Sequence, residues 1–306
     1  MPQLNERHLY SVYFAPRGFQ RMAETGMQVS QRHMTPFDRL IGIIGEAGSG
    51  KSLFIKGMFP GLELTNDDDG VNIRPLPILS VGEDEGFYRP HTYHLDIRFE
   101  SAFTQMHTLA DAIREALAQG KRVVVEHFDL IYPFLHMNAE LLIGIGEEII
   151  VTRPTLFGPE PRDIADIVFP SIKFRRMAHT AEDLTERFLR KNVQGRYVHS
   201  DVRHGFVLEF DEKPEIDLNA LEDYVWKKVA KNLPVSYHDD HHILIGDKLH
   251  GCTGPRMHVS STGEIEHFRV LKDIKFDPLS GKYLLVGLVG DADESDPQDL
   301  NHLTIH

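Results

Sequence analysis

Cysteine is nearly absent: Cys252 stands alone among 306 residues. A lone thiol excludes a disulfide within the chain, which sets aside the oxidised extracellular scaffolds. Long apolar runs are missing as well. None approaches the ~20 residues that a membrane-spanning helix needs, and the opening MPQLNERHLY lacks a basic-then-apolar leader. A soluble cytoplasmic protein with no membrane partner is expected. Basic residues are in deficit, 33 Lys and Arg against 46 Asp and Glu, for a net charge of -13. That balance argues against a general nucleic-acid surface, since phosphate binding relies on cations that release counterions. The chain shows neither an internal repeat nor a low-complexity tract.

What is present is an ordinary globular composition, 41% hydrophobic and 26% charged, with apolar material for roughly two cores of ~150 residues each. Residues 1–37 form an N-terminal extension without assignable chemistry, strand-like in LYSVYFAPRG and then polar with scattered methionines. From residue 38 to 172 apolar strands alternate with helices. LIGIIG, RVVVEHFD and the end of LLIGIGEEIIVTRP read as buried strands, the last preceded by a helix end; LFIKGMF and LADAIREALAQG read as helices. This alternation predicts an α/β domain with a mostly parallel sheet and crossover helices. Residues 173–306 change to an α+β rhythm: helices in HTAEDLTERFLRKN and DLNALEDYVWKKVAKNL, strands in GFVLEF, HFRVLKDIKF and KYLLVGLVG, and an acidic tail, DADESDPQD.

GEAGSGKS satisfies G-x-x-x-x-G-K-[ST] in full, between a buried strand and a helix. In that pattern Gly45, Glu46, Ala47, Gly48, Ser49 and Gly50 present backbone N–H groups to a phosphate at the helix N-terminus. Lys51 reaches the β and γ phosphates of ATP or GTP, and Ser52 holds Mg²⁺. The Mg²⁺ also wants an acid at the end of a neighbouring strand, for which VVVEHFD offers Glu126, the favoured one, and Asp129. A kinase needs one further carboxylate as base for an attacking hydroxyl. One of Asp67, Asp68 and Asp69 in NDDDG is placed for it, with Asp96 next.

The stretch from about 39 to 172 resembles the uridine kinase group of P-loop kinases, in GEAGSGKS, the acids at DDD, YHLDIRF with Asp96 before a helix, and GKRVVVEHFD. The resemblance implies a phosphotransferase acting on a small hydroxyl substrate. The region after Glu126 is too short for the family's arginine-bearing lid, and Arg153 and Arg162 are the arginines left to replace it.

Cys252 raises a separate question, because a metal held by it draws its other ligands from elsewhere. His238, His241, His242 and His250 crowd the sequence before it, and a helix would put His238 and His242 on one face. A pair further upstream, His179 and Asp183, stands at i and i+4 on an amphipathic helix. The stretch from His179 to about Val289 resembles the editing domain of alanyl-tRNA synthetase, in HTAEDL, VLEFDE, ALEDYVWKKVAKNLPV and CTGPRMHVSSTGEIEHF. The resemblance implies a zinc set of His179, Asp183, Cys252 and His258. In this set aspartate replaces the family's second histidine, and the cysteine-to-histidine spacing is longer by two residues.

From Lys173 to Arg203 eight basic residues face four acids, a local positive stretch of the kind a tRNA backbone would use. Three functions follow: a phosphotransferase using ATP or GTP, a metal-dependent aminoacyl-tRNA or aminoacyl-ester deacylase, and a non-catalytic nucleotide-gated module. The complete phosphate loop favours the first.

Overall fold

The computed structural model describes residues 10–62, 64, 77–80, 91–192, 196–290 and 300–301. The chain divides into two compact units, residues 1–15 with 21–170, and residues 16–20 with 171–306. The short segment Pro16–Gln20 therefore belongs to the second unit, although the first unit surrounds it in sequence.

The first unit holds β1 (Ser11–Phe14), α1 (Phe19–His33), β2 (Leu40–Ile44), α2 (Lys51–Met58), β3 (Thr92–Asp96), α3 (Ile97–Glu100), α4 (Met106–Ala118), β4 (Arg122–Glu126), α5 (Phe128–Leu135), β5 (Leu141–Ile145) and β6 (Glu148–Thr152). Helix α6 (Pro161–Asn192) runs on into the second unit with Pro170 in its interior. The sheet order is β1-β6-β5-β2-β4-β3. β3, β4, β2 and β5 are parallel, and β6 and β1 each pair antiparallel. The fold is α/β with a mixed, mostly parallel sheet.

Side chains of successive strand residues point to opposite faces, and both faces of this sheet are apolar. Leu40, Ile44, Val123, Val125 and Leu142 pack with Ile113 of α4, Phe128 and Ile131 of α5, and Ile164 of α6. Ile41, Ile43, Val124, Leu141 and Ile143 pack with Met22 and Val29 of α1 and Phe54 of α2. Covering both faces explains why these strands read as continuous apolar runs rather than alternating ones.

Two sequence expectations change here. LLIGIGEEIIVTRP is not a helix end and a strand but a hairpin, β5 and β6 turning at Gly146 and Glu147. Residues 11–14 and 19–33 supply the sheet's edge strand and a covering helix. The helix escaped notice because its few buried positions lie among polar ones.

The second unit contains β7 (Tyr197–Val202), β8 (Gly205–Phe210), α7 (Leu218–Val229), β9 (Val235–Asp239), β10 (His242–Ile245), β11 (Lys248–Gly251), β12 (Arg269–Val270), β13 (Lys275–Asp277) and β14 (Lys282–Leu288). They form two antiparallel sheets, β11-β10-β9 and β12-β14-β8-β7, with β13 on β14. Asp217 caps α7, accepting from Asn219 N and Ala220 N at 3.0 Å. The core joins Ala178, Ala181 and Leu184 of α6 to Phe206, Leu221, Ile243 and Phe268. No helix among the described residues is long and apolar enough to cross a membrane.

Candidate functional sites

At the C-terminal end of β2 the backbone turns through Gly45–Gly50 into α2. Gly48 and Gly50 sit at φ 79° and 93°, in the left-handed region that glycine enters without steric cost. A Cβ on Gly45 would stand 2.7 Å from the Ile145 carbonyl and 2.8 Å from Ser49 Oγ, so no side chain fits at that position. Lys51 is buried and folds back across the loop, donating from Nζ to the Glu46 carbonyl at 2.9 Å.

Ser52 Oγ donates to Glu126 Oε1 at 3.1 Å, and Lys51 Nζ lies 3.8 Å from Oε2. The parallel register of β2 and β4 sets this meeting, by pairing Ile43 with Glu126. His94 on β3 completes the group, with Nε2 3.1 Å from Glu126 Oε1. Burial alone would raise the Glu126 carboxyl, but His94, Lys51 and Ser52 outweigh it and hold the group below its ordinary range. Burial also lowers the Lys51 ammonium, against the opposing pull of Glu126 and Asp96. His127 occupies a left-handed conformation at φ 56°. Burial, then the Lys51 charge, push its imidazole down to about 4.

Glu126, and not Asp129, is the acid at Ser52. The Asp129 Oδ1 is buried without a hydrogen bond, and burial raises its carboxyl. Asp96 accepts from Phe99 N at 3.1 Å and caps α3. Asp67, Asp68 and Asp69 lie outside the described residues. His94 was missed by sequence reasoning; the one signal for it was a titratable residue at a fully buried position of TYHLD.

Arg153 is a correction. Expected to stand in for the lid arginines at the nucleotide, it is carried instead to the opposite end of the sheet, because β6 runs antiparallel to β5. There its guanidinium forks onto Asp38, Nη1 to Oδ1 at 2.7 Å and Nη2 to Oδ2 at 2.8 Å. Asp38 precedes Gly45 by seven residues along a strand rising about 3.3 Å per residue, so the guanidinium sits roughly 20 Å from the loop. Arg162 is solvent-exposed on α6 beside Asp166. Arg153→Met is expected to destabilise the protein by about 2–3 kcal/mol, the scale of a charged hydrogen bond, and to leave nucleotide turnover unchanged. Burial would raise the Asp38 carboxyl, but Arg153 and the Thr35 amide hold it below the ordinary aspartate range. The stabilisation is therefore full above the unfolded value of about 4 and fades as the pH falls through the folded value. Denaturant melts of both proteins from pH 2 to 7 should converge at the acid end.

In the second unit α6 projects His179 and Asp183 from one face toward the turn after β11, which carries Cys252 and His258. One ligand atom from each of these four residues lies within 4.8 Å of the others. Cys252 Sγ is 3.3 Å from both His179 Nε2 and His258 Nε2, and Asp183 Oδ2 is 3.6 Å from His258 Nε2. A tetrahedral ion with bonds of about 2.0–2.3 Å spaces its donors by about 3.3–3.6 Å, so the set needs little adjustment to close on a metal.

The tautomers agree with that geometry. His179 Nδ1 is 3.0 Å from the Met257 carbonyl, which can only accept, so Nδ1 carries the proton and Nε2 faces the centre bare. Thr180 Oγ1 donates to Arg176 O at 2.9 Å and is the partner of His258 Nδ1 at 3.2 Å. The hydroxyl proton being spent, His258 donates from Nδ1 and also offers a bare Nε2. Such outer hydrogen bonds are what orient metal-ligating histidines. Asp183 Oδ2 is buried with no hydrogen bond. Burial keeps the His179 and His258 imidazoles from charging and pushes the Cys252 thiol up; at Asp183 burial would raise the carboxyl, but the surrounding rings, His250 first, hold it below its ordinary range. With the thiol proton released on metal binding, one carboxylate, one thiolate and two neutral imidazoles would match the charge of a divalent ion.

His238 and His242 are not at this centre. They lie on β9 and β10, either side of a reversal at Asp240 and His241, and both are substantially exposed; His242 bonds Asp239 at 2.8 Å. His250 does lie at the centre, behind Asp183. Beside it is an ion-pair network that the sequence did not reveal. Arg17 meets Glu182 and Asp201, each at 2.9 Å, and His199 bridges Glu182 at 3.0 Å and Glu186 at 3.2 Å. Of the basic stretch, Arg175 bonds the Pro16 carbonyl at 2.8 Å, while Arg187 and Arg190 bond His250 and Glu186, both at 3.2 Å. These three serve the fold. A cavity of about 610 Å³ opens beside the centre, walled by Arg176, Tyr237, Arg256, His258, Ser260 and Glu264.

The chain matches no protein-family model and no curated protein.

Proposed function

We propose that this protein is a phosphotransferase that uses ATP or GTP with Mg²⁺ on a small hydroxyl acceptor, its first unit being a P-loop domain of the uridine kinase type. The observation that carries this reading is the Ser52–Glu126 hydrogen bond of 3.1 Å beneath a glycine loop that Lys51 spans. Mg²⁺, when bound, would supply the positive charge that neutralises the phosphates. Ser52 and Glu126 hold it, His94 fixes Glu126, and the loop amides with Lys51 bind and orient the phosphates. The base falls to Asp67, Asp68 or Asp69, and its replacement by Asn lowers kcat by ~10² to 10⁴ with nucleotide binding kept. A screen of nucleosides and small alcohols for stimulated ADP or GDP release tests the proposal. Calorimetry that finds no binding of either nucleotide with Mg²⁺ would sink it.

A second reading concerns the other unit, an editing-type α+β domain whose four converging donors favour zinc. A divalent metal there supplies a Lewis acid and an activated water. Its setting suits deacylation of an aminoacyl ester or aminoacyl-tRNA, with the adjoining cavity receiving the substrate. Purified protein is expected to carry about one transition-metal ion per chain. Cys252→Ser and His179→Ala each lose it, and His238→Ala and His242→Ala keep it. Elemental analysis of the five proteins decides; a metal lost only with His238 and His242 contradicts the assignment.

A further inference from the structure

Two donor groups share Asp183: the four residues described above, and Asp183 with Glu186 and His250. A carboxylate common to two groups is how a two-metal site is bridged. His250 adds to that impression, because it is buried with its Nε2 facing both carboxylates, 3.5 Å from Asp183 Oδ1 and 3.8 Å from Glu186 Oε2. The other ring nitrogen decides otherwise. Arg187 Nε donates to His250 Nδ1 at 3.2 Å, and a guanidinium has nothing but donors. Nδ1 is therefore the bare nitrogen, and the ring proton sits on Nε2, where a metal ligand needs a lone pair.

Arg187 is itself anchored, donating from Nη2 to the Lys248 carbonyl at 3.0 Å, two residues before His250 on β11. Glu186 is also engaged elsewhere, with Oε1 at 3.2 Å from His199 Nε2 and Oε2 at 3.2 Å from Arg190 Nη2. We propose that His250 is a positioning residue and not a ligand: Arg187 fixes its tautomer, its Nε2–H holds Asp183 by Oδ1, and Oδ2 is left to bind a single metal. This rests on the metal-centre reading above. It makes Asp183 a one-oxygen ligand, pinned from behind by a relay that the resemblance to the editing family does not include.

The test is a titration of metal-free, full-length protein with Zn²⁺ against a chromophoric chelator, and with Co²⁺ followed by the absorption of its thiolate-bound tetrahedral form. The unaltered chain binds one equivalent. His250→Ala keeps the one-equivalent endpoint but weakens affinity about 10- to 100-fold, the usual cost of losing an outer partner. His250→Gln, whose amide donates a proton in the same direction, recovers most of it. Arg187→Met weakens binding in the same sense from outside the buried pocket, and carries the test should His250→Ala fail to fold. A second equivalent, lost in both His250→Ala and Glu186→Ala, would make His250 a ligand and overturn the proposal. So would affinities for His250→Ala and Arg187→Met equal to that of the unaltered chain. If the unaltered chain titrates like Cys252→Ser, with no binding, the metal-centre reading itself fails and takes the proposal with it.

Discussion

Lys51→Met is expected to lower nucleoside triphosphate turnover by about 10² to 10³-fold, the loss that follows removal of one preorganised charge from a phosphoryl-transfer site. The side chain is buried and crosses the loop to the Glu46 carbonyl. Nucleotide has to draw it from that carbonyl and from Glu126, 3.8 Å away, and meets an ammonium that is already buried. Methionine keeps the apolar stem and removes the charge, so packing of α2 under the sheet persists. Ser52, bonded to Glu126, still offers its oxygen to Mg²⁺. Initial rates at saturating ATP and GTP, beside matching far-ultraviolet circular dichroism, separate loss of chemistry from loss of fold. Turnover within threefold of the unaltered protein would place the phosphate site elsewhere.

Arg17→Met is expected to destabilise the second unit by about 3–5 kcal/mol, the cost of breaking a buried ion pair by deleting one side. Its guanidinium pairs Glu182 and Asp201, and donates to the Gly205 and Ser200 carbonyls at 2.9 and 3.0 Å. Methionine takes from Glu182 and Asp201 the cation they share, and leaves the Glu182 carboxylate buried beside His199. The melting midpoint should fall by on the order of 10 °C. Arg17→Lys should restore only part, because one ammonium cannot fork onto two carboxylates and two carbonyls. A midpoint within 2 °C of the unaltered protein contradicts the argument.

The parts of this structure legible in the sequence are those whose physics is local. GEAGSGKS announced a strand, a tight loop and a helix because the glycines, the apolar run before them and the periodicity after them all lie within twenty residues. Glu126 was legible as the first acid after three valines. Arg153 misled because a strand can be recognised locally while its direction cannot: whether β6 runs with β5 or against it decides which end of the sheet receives its last residue. The histidines before Cys252 stood as alternatives that nearness in sequence could not decide between. His238 and His242 stand exposed on two strands of a hairpin, while the donors beside Cys252 come from a helix about seventy residues earlier. His179 and Asp183 could be picked out only because a resemblance spanned the gap. Arg17, His94 and the Arg187–His250 contact had no such help, since each finds its partner across a separation that no pattern in one sequence records.

The passage of Pro16–Gln20 through the second unit bears on how the chain is synthesised. Arg17 leaves the ribosome before its partners and then waits, because Gly205 comes 188 residues later. Contacts of that span close slowly, since the loop entropy is surrendered before any contact rewards it. Until Glu182, Asp201 and β8 have been made, this segment has no resting place, although the strand before it and the helix after it belong to a unit that is complete by residue 170. Residues 171–306 by themselves would lack the guanidinium that pairs Glu182 and Asp201.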